Sequence, residues 1–303
     1  MLTWRLWREI NRPTPLTALY YRLHIRRAFI EQADFSLGAL TIFRTLGLTL
    51  LPVIFIFLGV PLLFISYASL LPFTALIVPL AITAYGFAHC VSVSGQIVRE
   101  RELANYDLLG VSPPGRFGLH WAYTVSWLVN HRTIRWLLLI FIGVGMFAAL
   151  LGITGNLLIA PSPLTENAPF NISRLLRTAA SILSFWVDYA QTIILSSLIA
   201  MYVGAVTNLA STASLLSGGA FLTLQVAIYV VSNALNFYLA GIFLNLRVIS
   251  TPEYEIGVAL FTVLALIITY LMREYIIWLL WNAVVRTLNA SPSELDTLIR
   301  RKL

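Results

Sequence analysis

Runs of about twenty apolar residues, each long enough to cross the roughly 30 Å of hydrocarbon in a bilayer, alternate along this chain with short stretches that hold nearly all of its charge. The first run covers residues 46–67, and a near-immediate turn at 68–72 leads into the second, residues 73–93. The third covers residues 136–153, the fourth 178–207 and the fifth 215–244, and the sixth starts after Glu255 and reaches Met272. The pattern predicts an all-α, polytopic membrane protein with about six transmembrane helices. The fourth and fifth runs, near 30 residues each, must tilt, kink or project. Pro52, Pro61 and Pro79 fall inside the first two, where neighbouring helices can re-satisfy the freed carbonyls. Gly143, Gly145, Ala148, Ala149 and Gly152 give the third run small residues for close helix approach.

Between the runs, the periodicity changes from uniformly apolar to amphipathic. Residues 1–45 alternate arginines with Trp4, Trp7, Tyr20, Tyr21 and Phe29, and Arg5, Arg8 and Arg12 fall at helical spacing. Interfacial helices follow, with rings at headgroup level and arginines reaching lipid phosphates. Residues 97–109 suit a short surface helix with Val98, Leu103, Tyr106 and Leu109 on one side and charges on the other. Residues 117–129, bounded by Arg116 and Arg132, are expected to form a second interfacial helix on the same side. At the C-terminal end two registers compete. One ends the sixth span at Met272 and leaves Arg273 and Glu274 at the surface, followed by an interfacial helix over residues 275–288. The other runs the span to Trp281 and buries Arg273, at a cost of at least about 2.5–3.5 kcal/mol for an arginine at a helix centre, so the first is preferred. The resulting organisation is an N-terminal part over 1–45, a membrane domain over 46–288 with a cytoplasmic loop at 94–135, and a tail over 289–303.

Composition narrows the chemistry. Charged residues make up 11% of the chain and hydrophobic ones 59%, far from the soluble norm of about 25% charged. The net charge of +7 reads as a bias of cytoplasmic loops, with no nucleic-acid partner implied. With both termini inside, sixteen basic residues face the cytoplasm and three (Arg174, Arg177, Arg247) face out, with Arg273 at the inner boundary. Lys302 is the only lysine and precedes the terminal Leu303, so this sequence holds no P-loop and any ATP must be bound by another chain. Cys90 is the only cysteine, which excludes an internal disulfide. His89 and Cys90 are read as packing residues, and His120 and His131 lack a third ligand, so no metal site is expected.

The densest charge lies directly after the second run, where Arg99, Glu100, Arg101, Glu102 and Asp107 fall within nine residues and Ser112-Pro113-Pro114-Gly115 ends the helix. Ser94, Glu100-Arg101-Glu102, Tyr106-Asp107-Leu108-Leu109 and Ser112-Pro113 resemble the first cytoplasmic loop of the type-2 ABC exporter permeases, although Ala104-Asn105 stands where that family has a Gly-Thr-like pair. The resemblance implies a coupling helix that docks on a separate ATPase subunit through Arg99, Glu100, Arg101, Glu102, Tyr106, Asp107 and Pro113. It also implies a homo- or heterodimer with a second permease, no cofactor on this chain, and a place in a bacterial inner membrane. A charged helix that merely anchors a loop is the plain alternative.

Asp188 is an ionisable group inside the fourth run, and such a group is by default a functional candidate. Ser181, Ser184, Asp188 and Gln191 with Thr192 share one helical face, as do Gln225, Tyr229, Ser232 and Asn236, with Asn233 beside them. The two stripes predict either a hydrogen-bonded contact or a translocation path through Asp188, Gln191, Gln225, Ser232, Asn233 and Asn236. Three functions compete: an exporter permease, a non-transporting membrane scaffold of the same fold, and an intramembrane enzyme, for which nucleophile and ligand spacings are lacking.

Overall fold

The computed structural model describes residues 1–11, 70–102, 115–131, 136, 139, 143, 168–245 and 252–290. Among them are six helices and no strand: α1 (Leu2–Asn11), α2 (Leu70–Glu102), α3 (Gly115–Asn130), α4 (Ala168–Val206), α5 (Ala210–Asn245) and α6 (Pro252–Thr287). Helices satisfy every backbone group within one segment, which is what a medium without water requires. Stretches long and apolar enough to cross a membrane occupy Leu183–Val206 of α4, Ala210–Leu235 of α5 and Val263–Thr287 of α6. The chain is therefore an integral membrane protein with three candidate spans among the described residues. The first predicted run, 46–67, lies outside the described residues, and only 136, 139 and 143 of the third are described.

Prolines open two of the long helices. Pro169 sits in the first turn of α4 and Pro252 is the first residue of α6, positions where the missing N–H had no intrahelical partner. Helix α4 thus begins at Ala168, ahead of the apolar run that starts at residue 178. The reversal between α4 and α5 takes only residues 207–209, so the small polar residues from Ser211 to Ser214 belong to α5.

Helix α4 is the centre of the bundle and touches each of the other described helices. Every residue from Tyr189 to Met201 is buried, whereas α5 turns Leu215, Val226 and Val230 outward and α6 turns Leu264, Ile267 and Leu271 outward. Exposed apolar faces of this kind suit lipid. On its inner side α5 comes close to α2. A Cβ on Gly86 would lie 2.7 Å from Phe221 Cζ and 2.9 Å from Thr192 Cγ2, and the Phe221 ring is fully buried. Gly86→Ala is therefore expected to lower stability by about 1–3 kcal/mol through overpacking, with part of the loss recovered by adding Phe221→Leu. Thermal unfolding of the solubilised protein checks this, and an unchanged Gly86→Ala midpoint would contradict the close approach.

Two helices differ from their expected setting. Helix α2 runs unbroken to Glu102, and Ile97 and Val98 are fully buried. Residues 97–102 are thus the end of a long helix, held where Gly204 leaves room for the Ile97 side chain, rather than the start of a short surface helix; residues 103–114 lie outside the described residues. Helix α3 is buried on all sides from Leu119 to Leu128, because its apolar residues surround the axis instead of forming one stripe. Trp127 packs on Tyr85 and His89, and Phe117 meets Trp281 edge-on.

Helix α1 is amphipathic, and its covered face rests on protein. Thr3, Leu6 and Ile10 are buried while Trp4, Arg5 and Arg8 are exposed. The Thr3 N–H and hydroxyl both donate to the Glu274 carboxylate, and Trp7 meets Tyr189 edge-on at 5.5 Å. Its beginning thus sits on α6 and its middle on α4, so α1 bridges the two helices.

Candidate functional site

Four helices meet around Asp188. Arg273 Nη1 of α6 donates to Asp188 Oδ1, forming an ion pair in which Arg273 is 5% exposed. Tyr229 of α5 donates its hydroxyl to Asp188 Oδ2 at 3.0 Å, and Thr192 donates to Oδ1 at 3.4 Å. Thr192 in turn accepts from Gln225 Nε2 at 3.2 Å, and Thr83 of α2 lies 3.4 Å from the Tyr229 hydroxyl. The Arg273 guanidinium also stands 5.2 Å from the centre of the Tyr229 ring, close enough for a cation–π contribution. The cluster carries one positive and one negative charge, so it is neutral as a whole. Two of its polar atoms, Arg273 Nε and Gln225 Oε1, are buried without a hydrogen-bond partner.

This arrangement bears on the two registers of the last span. Helix α6 continues without a break through Arg273, which falls inside Val263–Thr287, so the preferred expectation of a surface Arg273 does not describe the structure. The cost that disfavoured burial applies to an unpaired arginine, and Asp188 supplies the counter-charge. The sequence signal was present as two opposite charges stranded in apolar runs.

The other residues of the two polar stripes divide. Gln225 joins Asp188 through Thr192, but Gln191 donates to the Tyr270 carbonyl of α6 at 3.3 Å. Ser232 returns its hydroxyl to the Ile228 carbonyl, Asn233 is exposed, and the Asn236 side chain lies outside what is described. Among the described residues the stripes meet as a contact near Asp188. Arg273 and Thr83 join the candidate residues, along with Thr192 and Tyr229, which the sequence places on the stripes but not in the site.

At the charged end of α2, Arg101 turns inward. Its Nη1 donates to the carbonyls of Gly204 and Ala205 at 2.9 Å and of Thr207 at 3.0 Å, and Nη2 lies 3.4 Å from Asn208 Oδ1. These carbonyls are among those a helix C-terminus leaves without intrahelical partners, and the positive charge complements the helix dipole there. Arg99 and Glu102 are exposed and Glu100 is half-buried, whereas Tyr106, Asp107 and Pro113 lie outside the described residues. The chain matches no family model, no curated protein and no solved structure.

Proposed function

We propose that this chain is the membrane-spanning subunit of an ABC-type exporter in a bacterial cytoplasmic membrane. ATP is bound and hydrolysed by a separate ATPase subunit docked at the charged end of α2, and a second permease, identical or homologous, completes the transporter. The observation that carries the reading is the Arg101 clamp, since it ties the motif that resembles a coupling loop to the C-terminus of the central helix. A displacement imposed on the end of α2 is passed to α4, whose rigid body reaches Asp188, sixteen residues or about 24 Å from Gly204. Arg99 and Glu102, exposed and of opposite sign, supply the mixed charge that sets register against a partner.

The test reverses both exposed charges at once, Arg99→Glu with Glu102→Arg, so that net charge is kept. Surface changes of this kind alter folding by about 0.5 kcal/mol or less, yet they place like charges together in a docked interface. Insertion and melting are expected to stay at the parental level while ATPase copurification and substrate-stimulated hydrolysis fall about ten-fold. Parental copurification and hydrolysis in this variant would mean that no ATPase docks through the charged end of α2.

A further inference from the structure

We propose that the Asp188–Arg273 cluster binds a zwitterion, a ligand that carries an anionic oxygen group and a primary ammonium. The site already holds one charge of each sign, with Arg273 buried and Asp188 half-buried, paired with each other. A ligand with a net charge satisfies one of them and strands the other in a low-dielectric interior, which is unfavourable. A zwitterion exchanges with both: its anion takes the guanidinium of Arg273, its ammonium takes the carboxylate of Asp188, and the site stays neutral throughout.

The unpartnered atoms match that pair of groups. Arg273 Nε–H is a buried donor and Gln225 Oε1 a buried acceptor, both without partners, and such orphans are rare in native proteins unless something else satisfies them. The anionic group of the ligand accepts from Nε–H, and its ammonium donates to Gln225 Oε1 as well as to Asp188.

A phosphoethanolamine lipid and a soluble zwitterion share the required chemistry. The inference names the substrate class of the permease proposed above and so rests on that reading, but its test uses the full chain without any ATPase, so the two can fail separately.

The purified full-length chain in dodecyl maltoside is titrated with dihexanoyl phosphatidylethanolamine, dihexanoyl phosphatidylglycerol and glycerophosphoethanolamine, with binding read by thermal shift. The ethanolamine lipid is expected to bind at least ten-fold more tightly than the glycerol lipid. Comparable binding of glycerophosphoethanolamine assigns the site to a soluble zwitterion, and its failure beside a binding lipid assigns it to a headgroup. Asp188→Asn leaves Arg273 without its counter-ion and is expected to reverse the preference toward the anionic lipid. The double variant Asp188→Asn with Arg273→Gln, which restores neutrality, is expected to abolish the preference. Equal binding of the two lipids by the parent, or an undiminished preference in a double variant that melts with the parent, overturns the proposal.

Discussion

Asp188→Ala is expected to destabilise the solubilised protein by about 3–5 kcal/mol, because it leaves the buried Arg273 without its counter-ion, and Arg273→Ala by less, because Asp188 is half-buried and keeps its hydrogen bonds from Tyr229 and Thr192. Replacing both at once by apolar residues of similar size, Asp188→Leu with Arg273→Met, is expected to come out near neutral or more stable. The contrast follows from where the cost lies. Desolvating the two ions nearly cancels their attraction, so an intact pair adds little, while a half-pair retains the penalty without the gain. Tyr229→Phe removes one hydrogen bond to the carboxylate and should cost about 1.5–3 kcal/mol, as for bonds to charged groups. Thermal unfolding of the four variants in one detergent decides this. Single variants that melt within a degree of the parent would mean that the ion pair does not form in solution.

How much of this site was legible depended on whether a residue could be judged alone. Asp188 could, since any carboxylate inside an apolar run calls for a partner. Arg273 could not, because its cost of burial depends on a residue 85 positions away, and weighing it as an isolated arginine put it at the surface, whereas it is buried. Helix content was equally plain from run lengths, but helix ends were not. Pro169 and Ser211 look like loop residues yet stand in first turns, where prolines and small polar residues are well tolerated. Amphipathicity misled most where aromatic residues were dense: residues 117–129 read as a surface helix because of their basic flanks, while their all-round apolarity required burial. The tie between Arg101 and α4 left no periodic trace at all, as a single side chain reaching backbone carbonyls needs no matching residue type across the contact.

That tie supports the second large effect. Arg101→Ala removes hydrogen bonds from a charged donor to three backbone carbonyls, together with a favourable charge at the end of α4. From charged hydrogen bonds of about 1.5–3 kcal/mol and a dipole contribution of about 0.3–1 kcal/mol, a loss near 2–3 kcal/mol is expected. Arg101→Lys keeps the charge but not the planar fork, so it should recover less than half of that loss. The damage is expected to be local, with faster amide exchange in the last turn of α4 and in the reversal at residues 207–209, and little change around Asp188. Function separates this clamp from the docking surface beside it. Arg99 and Glu102 face outward, so reversing them weakens the attachment of an ATPase, whereas Arg101→Ala should leave the ATPase attached and sever the path from α2 to α4. The expected phenotype is therefore parental copurification with substrate stimulation of ATP hydrolysis reduced about ten-fold. Arg101→Ala with parental exchange at the end of α4 would show that the clamp does not hold that turn, and full stimulation in the same variant would mean that motion reaches α4 by another route.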